Sequence, residues 1–571
     1  MGKLKKYITP YVWYMLFTMV IKFAATLLEL QIPDLMETMV DKKVPAGDVR
    51  QIYLYGVLMG LCALGALLGN ILANRMTAIS SGKITKKVRH DLFAKLQSLS
   101  AKQMDQLTIS SAESRLTSDT YNFNQLLARV QRMGIRAPIL LFGGVIMMMR
   151  MDMVLALVLL ALLPIIALVV YFVTKISVPI YTKQQTALDK VVRVLQENIT
   201  GIRVIKALSK TEYEKQRFHG VNSELSEIGE KAGAVSSITN PVVSLTLRIG
   251  LTLVVIVGAY RVNAGAFEGG VILAFLTYFT MILNAMLGIT RIFVMWSKGQ
   301  ASANRVAEVL EMPEDLQVLP ASFTEDTAHI VFDHVTFSYT GVGSNIENLS
   351  FRLEKGQTLG IIGATGAGKT TILNLLLRLY DPDQGHIYLN GQDIRTMDDG
   401  ALRKKFGMVF QNDFVAEGNI AHNISFFRDL SEERIRHAAQ CAQADFIWEK
   451  EGQMDAEVAV RGNNLSGGQK QRLLIARALA ADPEILILDD ASSALDYQTD
   501  AKLRQALHHH YRNTTTVVVA QRVSSLLHAD LILVLHDGQV IGQGNHAQLM
   551  ENCPTYRHIA QTQMGEGKEA L

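Results

Sequence analysis

Six stretches of mostly apolar residues occupy the first half of this 571-residue chain. A helix needs roughly 20 predominantly apolar residues to cross the hydrocarbon core of a membrane. The first, third, fifth and sixth stretches carry charges, which weakens each of them taken alone. Six at this spacing are hard to explain as core helices of a soluble protein, so the sequence predicts a membrane all-α domain over residues 1–310. The predicted spans are about 12–34, 52–73, 130–149, 153–174, 241–262 and 271–293.

The overall composition fits this division of the chain. Hydrophobic residues make up 49% of the sequence and charged residues 19%, and the apolar excess lies in residues 11–300. A net charge of +3 gives no reason to expect nucleic acid as a partner. The three cysteines, Cys62, Cys441 and Cys553, form no close pair and no metal-ligand spacing, which is typical of a chain in a reducing compartment.

Basic residues in the flanks of the spans predict their orientation, because cytoplasmic segments are enriched in Lys and Arg. Lys3, Lys5 and Lys6 precede the first span, and basic clusters follow the second and fourth. Both termini are therefore expected in the cytoplasm. About 55 and about 65 residues form the two long cytoplasmic links, too long for structureless loops. We expect continuous helices that turn near Leu107–Thr117 and near Glu197–Lys206 and touch a cytoplasmic domain there.

Lys22 and Glu29 are ionisable residues inside the first predicted span. Such groups usually face a bundle interior or a water-filled cavity, which would place both on a substrate pathway. The alternative is a structural pair or snorkelling, because residues seven apart share a helix face. The sequence leaves both interpretations open.

A complete phosphate-binding loop follows the apolar strand 359–362 and precedes a helix predicted over Thr371–Leu379. Exposed backbone amides in such a loop and at the helix N-terminus bind phosphate. Lys369 is placed to reach the β- and γ-phosphates of ATP, and Thr370 to hold Mg²⁺. The residues predicted to bind ATP are Gly363, Thr365, Gly366, Ala367, Gly368, Lys369, Thr370 and Thr371.

A second apolar strand, Ile485–Asp489, ends in a carboxylate. A lone Asp in that position is usually a turn residue. With a phosphate-binding loop upstream, Asp489 is instead predicted to contribute to the Mg²⁺ site.

The motifs of the second half make the chain resemble ABC transporters, and among them type IV exporters that fuse six spans to one nucleotide-binding domain. The most specific motif is the ABC signature, formed by Leu465, Ser466, Gly467, Gly468 and Gln469. The resemblance covers nearly the whole chain. It implies an α/β P-loop ABC ATPase domain over 328–571, joined by a linker over 311–327.

The resemblance also assigns roles to residues outside the phosphate loop. Tyr339 would stack on adenine, and Gln411 would join Mg²⁺ to the contact with the membrane domain. Ser493 and Asp496 lie in the segment called the D-loop. Two nucleotide domains would meet head to tail, so that Ser466, Gly467 and Gly468 bind the ATP held by a partner chain.

Three residues depart from the pattern of active members. Asp490 stands where the family has a Glu that polarises the attacking water, and its carboxylate is one methylene shorter. Errors of about 1 Å in position can cost roughly a hundredfold in rate. Gln521 replaces the switch His, and an amide does not titrate as an imidazole does. Val460 replaces a Glu that often precedes this Arg-Gly pair.

An intact signature beside altered catalytic groups resembles heterodimeric ABC exporters that have one degenerate and one competent ATP site. The hypothesis is that Lys369, Asp489, Asp490 and Gln521 form a degenerate site on this chain with a partner's signature, while its own signature completes the competent site of a different half-transporter. Gln411 is predicted as a further catalytic residue. The expected cargo is an amphiphilic or drug-like compound moved out across a bacterial cytoplasmic membrane. A regulatory subunit that binds ATP without turnover and a homodimeric lipid or peptide exporter remain alternatives.

Overall fold

A computed structural model describes residues 4–265, 268–411 and 414–564 and divides the chain into two compact units. The first unit contains the residues up to Lys95 together with Ser110–Met312. The second contains Leu96–Ile109 and the chain from Pro313 onward. The first is all helical and the second is α/β. The predicted fold class is confirmed.

Long helices make up the first unit, and each predicted span lies on them. Apolar runs uninterrupted by turn residues favour such helices, because a buried backbone must satisfy its hydrogen bonds internally. In chain order, the α-helices of residues 4–312 are α1 Lys5–Ile8, α2 Val12–Thr38, α3 Val49–Ser98, α4 Ala101–Leu107, α5 Ile109–Ser114, α6 Thr120–Met133, α7 Arg136–Met151, α8 Met153–Ala207, α9 Thr211–Asn263 and α10 Gly270–Leu310. Of these, α4 belongs to the second unit.

Among the described residues, three helical stretches are long and apolar enough to cross a membrane by length and composition. They are Lys5–Lys43, Val49–Ser98 and Ile109–Met151, and Gly270–Met286 is a shorter apolar helix.

The third predicted span does not lie on one helix. It begins in α6 and ends in α7, which are separated at Gly134 and Ile135. Pro138 lies in the first turn of α7. Proline is tolerated there because the first N–H groups of a helix have no intrahelical partner, but it does not allow α6 to continue unbroken.

In the core of the first unit, α10 is bonded to α2 and to the residues that follow α2. Tyr278 of α10 is fully buried and donates its hydroxyl proton to the Leu30 carbonyl of α2 at 2.7 Å. Asp41 accepts from the backbone N–H of Gly270 at 2.5 Å and of Val271 at 3.1 Å. This carboxylate at the N-terminus of α10 satisfies two donors that the helix cannot satisfy itself.

One of the two turns expected between the long helices lies inside its predicted segment, where the chain breaks at Thr108 between α4 and α5, and the other does not. The second turn was expected near Glu197–Lys206, and this was wrong, because α8 continues to Ala207 and the turn occupies Leu208–Lys210. In the first link the short helix α4 ends where the expected turn begins. Ser100 accepts from the backbone N–H of Gln103 at 3.2 Å and fixes the start of α4 with a capping box.

The second unit contains three β-sheets and nine further helices among its described residues. The strands are β1 Ile330–Phe337, β2 Ile346–Leu353, β3 Thr358–Gly363, β4 Gln384–Leu389, β5 Gln392–Asp393, β6 Phe406–Val409, β7 Gly418–Asn419, β8 Glu457–Val458, β9 Ile485–Asp489, β10 Thr515–Val519, β11 Leu531–His536 and β12 Gln539–Gly544. The helices are α11 Lys369–Leu376, α12 Asp399–Arg403, α13 Ile420–Ser425, α14 Glu432–Cys441, α15 Phe446–Glu449, α16 Gly467–Leu479, α17 Tyr497–His510, α18 His546–Asn552 and α19 Pro554–Met564.

The largest sheet has the strand order β12-β11-β3-β10-β9-β6 and is parallel except for β12. Its central strands are almost completely buried, as their continuous apolar sequences indicate. Val519 at the end of β10 pairs with Asp489 at the end of β9 and with Ile361 of β3. The carboxyl ends of three neighbouring strands therefore meet at one edge, where ligands of open α/β sheets bind.

Candidate functional site

The phosphate-binding loop connects β3 to α11, and its glycines are required by the geometry. A Cβ on Gly363 would lie 2.4 Å from the Leu535 carbonyl oxygen. Gly366 and Gly368 have φ angles of +86° and +97°, which side-chain-bearing residues rarely adopt. A Cβ on Gly366 would meet nothing within 4 Å, so the loop opens to solvent there. The helix starts at Lys369, two residues before the predicted position.

The side chain of Lys369 extends back across the phosphate-binding loop. Its ammonium donates to the carbonyl oxygens of Gly363 at 2.9 Å and Ala364 at 2.8 Å. Burial lowers the pKa of Lys369, while the carboxylates of Asp489 and Asp490 oppose this shift. A positive charge is thus held beside the loop's amides, as phosphate binding requires.

Asp489 and Thr370 meet at the end of β9. The Thr370 hydroxyl donates to Oδ2 of Asp489 at 3.3 Å, and Asp489 is buried with 3% exposure. Burial raises the pKa of Asp489, and the neighbouring Asp490 raises it further. A buried carboxylate beside a hydroxyl is an all-oxygen donor set that fits Mg²⁺, whose charge would offset the cost of burial.

Gln411 lies two residues beyond the end of β6, which pairs with β9. It is exposed, and the next two residues lie outside the described part of the chain. Gln411 therefore follows the strand next to the one that ends in Asp489, at the same edge of the sheet. Its role at the Mg²⁺ site stays a prediction.

Tyr339 is fixed beside the helix that follows the phosphate loop. Its hydroxyl accepts from Nδ2 of Asn374 at 3.1 Å and lies 3.5 Å from Oγ1 of Thr371. Its ring meets Phe337 and Tyr380 edge-on, with centroids 4.9 and 5.0 Å away. With 37% exposure, the ring remains accessible for the predicted stacking on a base.

Asp490 and Gln521 contact each other directly. The Gln521 amide donates from Nε2 to Oδ2 of Asp490 at 3.2 Å. Asp490 has a positive φ of 52°, and its backbone N–H donates to the Val519 carbonyl at 2.9 Å. Burial raises the pKa of Asp490, opposed by the charges of Lys369 and Arg522. The two departures from the family pattern therefore form one unit, in which the amide occupies one oxygen of the shortened carboxylate.

The signature segment forms the N-terminus of α16. Ser466 caps the helix by accepting from the backbone N–H of Gln469 at 3.2 Å, and the Gln469 side chain accepts from the Ser466 N–H at 3.0 Å. A Cβ on Gly468 would lie 3.0 Å from the Ala494 carbonyl oxygen. Leu465 is buried, whereas Ser466 and Gly467 are exposed. An exposed, well-capped N-terminus is suited to bind phosphate.

Gln471 links this helix to the D-loop and was not singled out by the sequence. Its Nε2 donates to Oγ of Ser493 at 3.0 Å, and its Oε1 accepts from the Ala494 N–H at 2.9 Å. Ser493 in turn donates to the Asp490 carbonyl at 2.9 Å. Asp496 caps α17 by accepting from the Thr499 N–H at 2.9 Å, and these contacts with Thr499 lower its pKa. No spacing in the sequence indicates this link, because it joins two segments more than twenty residues apart.

Helix α4 packs within the second unit and supplies a further contact that sequence reasoning missed. The Tyr380 hydroxyl donates to Oδ2 of Asp105. Ser100 donates to Oδ2 of Asp315 at 2.8 Å, and Gln103 donates to the Pro313 carbonyl at 2.7 Å. Since Tyr380 also touches Tyr339, one aromatic ring separates α4 from the predicted base-stacking residue.

Lys22 and Glu29 lie in one polar network but do not pair with each other. Lys22 is buried and donates to Oδ1 of Asn70 at 2.6 Å. Asn70 donates to Oε1 of Glu29 at 2.9 Å, and Arg136 binds Glu29 with contacts of 3.0–3.2 Å. The network links α2, α3 and α7, as a structural role would require. A role of either residue on a substrate pathway stays a prediction.

Comparisons with known proteins match both units. Residues 15–286 match the family described as ABC transporter transmembrane region, and residues 346–493 match the family described as ABC transporter. The chain is 32% identical to the ABC transporter ATP-binding protein YfiB of Bacillus subtilis, with 100% of both chains covered. A fatty acid ABC transporter ATP-binding/permease protein of Mycobacterium bovis is 31% identical over 84% of this chain and 77% of its own length.

A solved structure shows the same fold. It is described as a bacterial Atm1-family ABC exporter with ATP bound, and it matches with a TM-score of 0.81 over 98% of this chain and 99% of that one. The sequence identity is 23%, so this likeness concerns the fold alone.

Proposed function

The chain belongs to the ABC transporter family, and from this premise we propose that it is the half of a heterodimeric exporter that carries a degenerate ATP site. Its fold is that of a type IV exporter, with a multi-pass membrane domain and a cytoplasmic ATPase domain. The proposal concerns its partner, its site and its cargo.

One observation carries the proposal, the hydrogen bond from Gln521 to Asp490. A general base must be free to approach the attacking water within hydrogen-bond distance. In this chain the carboxylate is one methylene shorter than a Glu and already accepts from an amide. A misplaced carboxylate costs roughly a hundredfold in rate, and loss of general acid–base help costs roughly 10²–10⁴-fold. We therefore propose that ATP bound here is hydrolysed very slowly.

The binding parts of the same site are complete. The loop amides and Lys369 would hold the phosphates, and Tyr339 would stack on the base. Thr370 and Asp489 would hold Mg²⁺, with Gln411 added from the neighbouring strand edge. When bound, Mg²⁺ neutralises charge on the transferring phosphoryl group. The site thus supports binding of ATP without efficient turnover.

The capped signature supports activity at the second, composite site. In the proposed arrangement Ser466 and the first amides of α16 bind the phosphates of ATP held by the partner's loop. Hydrolysis there resets the transporter, while ATP at this chain's site persists and keeps the two nucleotide domains associated. A regulatory subunit without any turnover would not need this intact helix N-terminus.

The proposed cargo is an amphiphilic compound that leaves the cytoplasm by alternating access. The Mycobacterium bovis relative is named a fatty acid ABC transporter, which favours an acyl-chain compound within this class. The alternative is a homodimer that exports lipid. ATP-dependent movement of an amphiphilic dye into inside-out vesicles separates an exporter from a regulatory subunit.

Two substitutions test the site assignment in the assembly purified through a tag on this chain. Ser466→Arg places a bulky cation in the signature and is expected to abolish nearly all ATPase activity of the complex. Asp490→Ala is expected to change that activity only modestly. Equal damage by both substitutions would contradict the assignment.

The mass of the intact complex shows whether this chain assembles with a different chain or with a second copy of itself. A one-to-one complex with a different chain of similar size supports the heterodimer. A complex of two identical chains would mean that Asp490 and Gln521 support all of the turnover, and the proposal would fail.

A further inference from the structure

Two helices of the ATPase domain bring together a cysteine and two histidines that take no part in the ATP site. His437 and Cys441 lie one turn apart on α14, so their side chains share a helix face. His510 is the last residue of α17. Each side chain offers one ligand atom, and the three atoms all lie within 4.8 Å of one another.

The distances are close to those of a metal-bound set. Sγ of Cys441 lies 3.7 Å from Nε2 and 3.9 Å from Nδ1 of His437. Tetrahedral Zn²⁺, with Zn–S near 2.3 Å and Zn–N near 2.0 Å, separates neighbouring S and N ligands by about 3.5 Å. The rings of His437 and His510 meet edge-to-face with centroids 5.2 Å apart. Small side-chain rotations would therefore place all three ligands around one ion.

Burial differs between the ligands in a way that suits ion entry. Cys441 is 4% exposed, whereas both histidines are exposed. In the part of the chain that the structure describes, neither imidazole is hydrogen-bonded to a carboxylate or a backbone carbonyl. Neither ring is therefore held by such a hydrogen bond against turning toward a shared ion, although His437 also meets the ring of Tyr511 and His510 that of His509.

We propose that His437, Cys441 and His510 form a binding site for Zn²⁺ or a similar borderline-soft divalent cation. One thiolate and two imidazoles favour such an ion over Mg²⁺ or Ca²⁺, which prefer oxygen ligands. Cys441 binds as the thiolate, with its proton released to the buffer. Three protein ligands leave the fourth tetrahedral position to water.

The position of the site gives the ion a structural consequence. α14 packs in the same apolar cluster as α16, whose N-terminus is the signature. α17 begins at Asp496 of the D-loop and ends at His510. An ion here links α14, which packs beside the signature helix α16, to the far end of α17, the helix that follows the D-loop. The inference does not depend on the proposed function.

Cobalt provides a direct test, because a thiolate bound to Co²⁺ gives an intense charge-transfer absorption that imidazole ligands alone do not give. The full-length protein is purified on a histidine-free tag, treated with chelator and titrated with Co²⁺ in the absence of nucleotide. One equivalent is expected to produce the absorption, and one equivalent of Zn²⁺ is expected to displace it.

Matched variants identify the ligands. Cys441→Ser is expected to remove the charge-transfer band. His437→Ala and His510→Ala are each expected to weaken binding by more than about 100-fold, since loss of an outer-shell partner alone costs about 10–100-fold. Cys553→Ser and His508→Ala are the controls, and both are expected to titrate as the original chain does.

Three results would overturn the proposal. They are the absence of the band at one equivalent, a band that survives Cys441→Ser, and a loss in His508→Ala as large as that in His510→Ala. The second would show that ions bind without the thiolate, and the last that His510 binds them no better than its exposed neighbour. If Cys441→Ser does not fold, the exposed His510→Ala variant with its His508→Ala control still decides the question.

Discussion

At the scale of single residues, the contact between Asp490 and Gln521 is the feature that sets this ATP site apart. With only one of the two departures, the site would keep either the Glu or the His expected from the resemblance to active ABC transporters. Together they leave a short carboxylate that accepts a hydrogen bond from an amide at 3.2 Å. The site is therefore expected to regain activity only when both residues are changed.

The test combines Asp490→Glu and Gln521→His in one variant. That variant also carries Ser466→Arg, and it is compared with a chain that carries Ser466→Arg alone. Ser466→Arg disables the composite site, so the remaining turnover belongs to this chain's own phosphate loop. The double substitution is expected to raise the remaining ATPase rate at least about 100-fold, through a repositioned carboxylate and a titratable partner.

A third variant serves as the control for that measurement. Asp490→Asn in the same Ser466→Arg background keeps the size of the side chain but removes its charge. It is expected to give no increase in phosphate release. An unchanged rate in the Glu/His variant would show that groups other than these two limit hydrolysis.

His329 supplies a residue-scale prediction about pH. It is 2% exposed, and its Nδ1 lies 2.6 Å from Oγ1 of Thr515. Burial lowers the pKa of His329, the charges of Lys355 and Lys405 lower it further, and Glu484 opposes them. Below about pH 6.5 the unfolded chain therefore binds a proton that the folded domain does not.

The ATPase domain is thus expected to lose stability as the pH falls from about 7 toward 5, by at most about 1.4 kcal/mol per pH unit from this group. His329→Gln should flatten this part of the pH dependence. Hydrogen exchange of the β1 amides in the full-length protein measures the effect. Equal pH slopes for the variant and the original chain would contradict the assignment to His329.

At the scale of elements, helix α4 contacts a residue that neighbours the predicted ATP site. Its Asp105 accepts from Tyr380, whose ring touches Tyr339. Tyr380→Phe keeps the ring and removes only the hydroxyl. Since a hydrogen bond to a charged group contributes about 1.5–3 kcal/mol, its loss should loosen α4 without emptying the ATP site.

The expected result of Tyr380→Phe is a reduced ratio of transport to ATP hydrolysis, with the affinity for ATP nearly unchanged. Dye accumulation and phosphate release in the same vesicles measure this ratio. Asp105→Asn should behave alike, and the two changes together should cost little more than either alone. Additive losses would mean that the two side chains act separately.

Elements also show which features the sequence predicts and which it does not. Apolar runs and the glycine loop predicted the helices, β3 and β9 correctly, because each of these patterns is contained in a short stretch of sequence. The turn at Leu208–Lys210 was misplaced because a helical pattern continues through the expected position. The His437–Cys441–His510 cluster was missed because it needs the packing of α14 against α17, which no local spacing reveals.

At the scale of the whole molecule, the parallel sheet gathers groups from distant parts of the sequence at one edge. Asp489 and Val519 end neighbouring strands, so Gln521 reaches Asp490 although 31 positions separate them. In the proposed site, binding and hydrolysis thus depend on different residues of one edge. This separation allows a chain to keep ATP binding while it loses turnover.

Retention of unhydrolysed ATP on this chain is the resulting prediction for the assembled transporter. The complex is allowed to turn over with a photoreactive ATP analogue labelled in its γ-phosphate, freed of loose nucleotide and then cross-linked. The γ-label is expected on this chain, because the proposed site binds ATP without efficient turnover, and Lys369→Ala should remove it. An analogue labelled in the α-phosphate reports all bound nucleotide. If this chain retains the α-label but not the γ-label, it hydrolyses its own ATP, and the division of labour between the two sites does not exist.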